Sequence, residues 1–142
     1  MRTAVLGSII ALQLVSPVAA ADPEKVKLGL NNASHEFSRC ASFFFMVSIA
    51  LENSKAMELA AKYKTVSNQA LEYALQAGAV AGLLKETVTS RFETDFISMK
   101  DRIGGNTSNV SILYKDHMEP CTATMENPDA VMERWVAEIE NR

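Results

Sequence analysis

The chain is predicted to fold as an all-α, compact bundle of four or five helices around a central apolar helix, about residues 34–52. Three observations carry that expectation. Residues 37–51, FSRCASFFFMVSIAL, are apolar on nearly every side, so a helix formed from them needs neighbours on several faces. The rest of the chain supplies apolar residues three and four apart, the helical period. No second segment alternates polar and apolar residues between turns, so the aromatic and β-branched run 43–49 has no strand to pair with. As a helix, residues 37–51 would extend roughly 22 Å, short of the ~30 Å of a hydrocarbon layer, which makes them a core element rather than a span.

Residues 1–21 read as a secretory signal peptide: Arg2, an apolar middle, the breaker Pro17 and the small residues Ala19-Ala20-Ala21. Cleavage after Ala21 leaves Asp22 at the new end, and cleavage after Ala20 is the alternative. An uncleaved anchor is disfavoured because the apolar middle is short and stops at Pro17. Residues 22–142 then form a single helical domain. Loss of Arg2 leaves thirteen Lys and Arg against seventeen Asp and Glu, with no basic stripe and no interleaved aromatics, so nucleic acid is not an expected partner.

Asp22-Pro23 offers a cap and a first-turn proline, but Gly29 and Asn31-Asn32 dilute the segment, which is expected to be a short helix or frayed arm. Asn31, Asn32 or Ser34 would then cap the central helix. Ser54 is expected to cap a second helix to about Gln76, with Leu59, Tyr63, Val66, Ala70, Tyr73 and Ala77 as its buried stripe. Ala70, Ala74, Gly78 and Gly82 stand four apart, a spacing that permits close helix approach. The simpler expectation is that both glycines end the helix.

The third helix has the clearest period, Leu84, Val88, Phe92, Phe96, Met99 and Ile103, and stops at Gly104-Gly105. A shorter amphipathic piece carries Val110, Leu113, Tyr114 and His117 on one face, ends at Pro120 and gives way to an irregular passage, 122–126. Asn127-Pro128-Asp129 then starts a last helix with Val131, Met132, Trp135, Val136 and Ile139 inward. Trp135 is expected to anchor it.

Cys40 and Cys121 are the only cysteines, and an even count in an exported domain favours a disulfide over two buried free thiols. Closing a loop of about 80 residues would stabilise the fold by up to roughly 4.5 kcal/mol in the chain-entropy account. His35 and His117 stand near the two cysteines and with them could compose a tetrahedral zinc site, yet five residues separate His35 from Cys40, about 140° on a helix. His117 is therefore expected at the edge of the core. His35, His117 and Met118 remain weak metal candidates. Met46, Met99, Met118, Met125 and Met132 suggest copper or haem, but core filling explains methionine equally, and no Cys-x-x-Cys-His occurs. No cofactor is assigned.

No nucleophile elbow, zinc-protease motif or phosphate loop is present, and His35-Glu36 lacks the second histidine, so no catalytic residue is assigned and the chain is not expected to be an enzyme. Asn106-Thr107-Ser108 and Asn109-Val110-Ser111 are formal glycosylation acceptors in a eukaryotic host. Arg39-Cys40-Ala41-Ser42-Phe43-Phe44, followed far on by Tyr114 and Cys121 in a Tyr-x6-Cys spacing, resembles small exported one-disulfide helical proteins of Gram-negative bacteria without assigned function. That resemblance implies an all-helical periplasmic domain and no particular activity.

The functional expectation is a secreted or periplasmic, non-catalytic module that binds another protein or an envelope component, without being an integral membrane protein once the leader is removed. The alternative is a carrier of a metal, haem or small apolar ligand inside the bundle.

Overall fold

A computed structural model of the chain describes residues 21–142. The leader assigned to residues 1–21 lies, but for Ala21, outside them. Five α-helices make up the described fold: α1 (Pro23–Asn53), α2 (Met57–Val80), α3 (Lys85–Arg102), α4 (Ser111–Glu126) and α5 (Pro128–Glu140), with a single 3-10 turn before α4. The all-α bundle around a central helix is as expected.

α1 is longer than the central helix read from the sequence, beginning at Pro23 instead of near residue 34. Asp22 accepts a hydrogen bond from the Glu24 N–H at 3.0 Å and so satisfies one free donor of the first turn. The diluting residues are held by tertiary contacts. A Cβ on Gly29 would come within 2.7 Å of Val136 Cα, so the glycine lets α5 lie directly against α1. Asn31 is bonded by Arg91 from α3. Packing here outweighs the low helix propensity of both residue types.

The other helices are laid along α1. α2 runs antiparallel to it, with Ser34 Oγ donating to the Ala74 carbonyl and Ser67 Oγ to that of Ala41. α3 runs parallel to it, placing Arg91 by Asn31, Asp95 by His35 and Phe96 by Phe45. α4 and α5 follow one another back along α1, from Phe43 beside His117 to Lys25 donating to the Glu140 carbonyl. Phe37 and Phe43 are fully buried at the centre of this arrangement, each stabilising it by about 1.5–3 kcal/mol through burial.

Cys40 and Cys121 form a disulfide, closing 81 residues and fastening α4 to α1. No helix among the described residues is long and apolar enough to cross a membrane.

Several sequence expectations are corrected. α2 starts at Met57 rather than after Ser54, which instead closes α1, and it continues past Gln76 to Val80. Its buried face is Ala60, Ser67, Ala70, Ala74, Ala77 and Gly78, while Leu59 is 45 % exposed. Gly82 does end the helix, at φ +81°, but Gly78 lies inside it, where a Cβ would meet Val88 Cγ2 at 2.7 Å. Leu84 opens α3 from an exposed position. Pro120 does not end α4, and residues 122–126 are helical. Proline removes one N–H bond on the exposed side of the helix, and Cys121 immediately after it is tied to α1.

Candidate functional site

Of the clefts that open onto α1, two bear on function. The first lies between α2 and α4, which barely meet. It encloses about 450 Å³ and is lined by Phe44, Leu59, Tyr63, Val66 and Met125, with Lys62, Gln69, Thr122 and Glu126 among its polar lining residues. The Phe44 and Tyr63 rings stand 6.0 Å apart. This cleft follows from the close approach of α2: its small residues face α1, so its large apolar ones fall on the flank and wall an open space. The helical period places Leu59, Tyr63 and Val66 on a buried stripe, whereas the face that is buried, made of alanine, serine and glycine, gives too little hydropathy contrast to find from sequence.

The second cleft is lined by polar residues and follows the seam between α1 and α3. It measures about 510 Å³ and is lined by His35, Thr87, Ser90, Arg91, Thr94 and Asp95. His35 Nε2 and Asp95 Oδ2 are 3.7 Å apart, and that oxygen is enclosed without a hydrogen-bond partner among the described residues. Burial pushes the Asp95 carboxyl above its ordinary range, against the pull of His35, Arg39, His117 and Arg91. Burial likewise lowers His35, opposed by Asp95 and reinforced by Arg39 and Arg91. The sequence alone singles out none of Asp95, Arg39 or Arg91 for this role, because sixty residues separate His35 from Asp95 and no motif links them.

His117 sits half-buried at the core edge, its ring 5.5 Å from that of Phe43 and its Nε2 3.3 Å from Arg102 Nη1. Burial lowers its pKa, with Arg102 acting the same way and Asp116 opposing. Met118 packs against the core cluster that also holds Met46 and Met99. The disulfide occupies both cysteine sulfurs, so no thiolate remains to pair with His35 or His117 at a metal. Among the described residues no three His, Cys, Asp or Glu side chains are grouped to hold a metal ion.

Glu36 forms a third polar centre, which is structural. Its carboxylate accepts hydrogen bonds from Thr124 Oγ1 at 2.8 Å, Arg134 at 2.7 Å and Trp135 Nε1 at 2.7 Å, joining α1 to α4 and α5. Burial would raise its pKa, but those three donors outweigh burial and hold the carboxyl below the usual range. Trp135 thus anchors the last helix through its N–H as well as its ring. Compared with known protein families, curated proteins and solved structures, the chain matches none.

Proposed function

We propose that the chain is a non-catalytic exported module that receives an amphipathic helix of a partner protein in the α2–α4 cleft. The observation that carries this reading is the cleft itself: an apolar floor of Phe44, Val66 and Met125 where two bundle helices stand apart. Lys62 on α2 and Glu126 on α4 offer charges of opposite sign to the flanks of such a helix. Export is supported by the leader pattern of residues 1–21 together with the disulfide, which persists in oxidising compartments. The periplasmic setting rests on the resemblance carried by Arg39-Cys40-Ala41-Ser42-Phe43-Phe44.

A photo-crosslinking side chain placed at Leu59 should capture a protein partner in the native envelope, and one at exposed Glu72 should not. Val66→Glu should abolish the Leu59 adduct while the protein stays folded. Equal labelling from both positions would remove the reading.

A second reading is a carrier of a small apolar ligand, supported by a volume within the usual range of small-molecule sites. It predicts that an apolar naphthylamine dye binds stoichiometrically and is lost in the same Val66→Glu variant, with no partner crosslinked.

A further inference from the structure

The geometry points to an oxyanion site on the α1–α3 seam, where a phosphate or phosphate-ester group is held between Arg39 and Arg91 while His35 takes up a proton. Asn31, His35 and Arg39 stand one helical turn apart on α1, and Arg91 and Asp95 stand one turn apart on the facing stretch of α3. Arg91 is oriented by two hydrogen bonds to Asn31, from Nη2 to Oδ1 at 2.9 Å and from Nη1 to the carbonyl at 3.4 Å. Arg39 is exposed, and none of the ion pairs among the described residues involves it. It stands one turn beyond His35 on α1, outside the cleft lining, whereas hydroxyls of Thr87, Ser90 and Thr94 line the cleft with Arg91 and can donate to anionic oxygens.

Charge on this seam runs opposite to that of the whole molecule. The chain carries a formal charge of −3, yet three of its arginines and both of its histidines act on Asp95 or on the imidazoles beside it. Among the described residues, the acids acting on those three groups are Asp95 and Asp116, and Asp116 is already paired with Arg102.

Asp95 gives the site its proton linkage. Its enclosed Oδ2, without a donor and 3.7 Å from His35 Nε2, is the acceptor an imidazolium needs. Arg39 and Arg91 oppose a positive His35. An anion between them screens that repulsion, so binding brings a solvent proton onto the ring. For His117 the same anion offsets Arg39, while Arg102, Asp116 and Asp95 are unchanged neighbours. This site is separate from the α2–α4 cleft, and neither reading depends on the other.

The test follows the His35 and His117 ring C–H resonances as inorganic phosphate is added to the mature protein. A saturable shift with the His35 titration moved to higher pH is expected, and the affinity for the phosphate dianion, corrected for the phosphate ion's own protonation, should tighten from pH 8 to pH 6. Arg39→Gln should weaken it about tenfold, the range of one charged hydrogen bond, and Asp95→Asn should leave only the pH dependence of the phosphate ion itself. Leu59→Ser should change neither. Near-UV circular dichroism checks that each variant is folded.

Flotation with phosphatidylglycerol vesicles, against phosphatidylcholine vesicles, separates the two sources of the group. Flotation lost in Arg39→Gln assigns a lipid headgroup, and phosphate-induced shifts without flotation assign a soluble phosphate. Absence of both, or shifts that Arg39→Gln leaves intact, overturns the site.

Discussion

The two clefts share α1 as their floor and differ in how the opposite wall is set against it. α2 lies close because its inward residues are alanine, serine and glycine, with two serine hydroxyls bonding across the interface. α3 meets α1 partly through aromatic rings, Phe92 and Phe96 against Phe45 at 5.9 and 5.5 Å. Close approach leaves α2 no room for its large side chains except on its flank, which makes that cleft apolar. Contact through large rings leaves the α3 margin to Arg91 and Asp95, which makes the other cleft polar. One hub helix therefore carries two clefts with unlike lining residues, large apolar ones beside α2 and hydroxyls with charged groups beside α3.

Removing both cysteines by Cys40→Ser with Cys121→Ser should produce the largest effect, since it frees α4 from α1 without altering either α2 or α3. About 3–5 kcal/mol of stability should be lost in urea denaturation. In whatever fraction remains folded, the α1–α3 cleft should keep its character, whereas the α2–α4 cleft loses the bond that holds its α4 wall. An α2–α4 cleft left unchanged would show that packing, and not the disulfide, sets the place of α4.

Gly78→Ala addresses the spacing directly. Helix propensity alone predicts a gain of up to about 1 kcal/mol. The contacts at 2.7 Å to Val88 and 3.1 Å to Ser34 Oγ predict instead a net loss of about 1–3 kcal/mol from overpacking. The sign of the change in the urea midpoint decides between them, and a gain would show that the Val88 side chain and Ser34 Oγ can yield to the added methyl.

Much of the fold is legible in the amino-acid sequence. Helix α3 shows a long, regular period over residues with strong hydropathy contrast, and α5 announces itself with Asn127 and Pro128, where Asn127 Oδ1 does accept the Ala130 N–H. The disulfide follows from there being two cysteines. What stays hidden depends on partners far along the chain. Gly29 reads as a weak point until Val136 lies against it, and Pro120 reads as a stop until Cys121 is bonded to Cys40. The same holds for the candidate sites: His35 and His117 are visible as candidates, while Asp95 gains meaning only when a parallel α3 brings it to His35.

Glu36→Gln tests the structural centre that neither cleft uses. A loss of about 1–2 kcal/mol is expected, moderated because Arg134 is half-exposed. Because the folded pKa of Glu36 is held below its unfolded value of 4.5, its contribution is fully present above that pH and is lost as pH falls through the folded value. The variant should accordingly show a flatter decline of stability between pH 5 and pH 3 than the parent, measured by urea titration at each pH.

The smallest effect belongs to Leu59→Ser. With Leu59 45 % exposed, the melting temperature should stay within about 2 °C of the parent. Loss of partner capture from a photo-crosslinking side chain placed instead at Gln69 of the same cleft, at unchanged stability, would separate the role of the apolar cleft from its contribution to the fold.

The hub is also made before the other helices of the described fold, whereas Val131 and Trp135, which pack into the cluster around Phe37, belong to α5, the helix furthest along the chain from it. A nascent chain therefore carries Phe43, Phe44, Met46 and Val47 uncovered until α3 and α4 bring Met99, Ile103 and Leu113 to them, and Phe37 partly uncovered until α5 docks. Truncation before α3 would leave most of that segment bare and prone to aggregation, so a holding chaperone is most needed while α1 stands alone and least needed once α5 has docked.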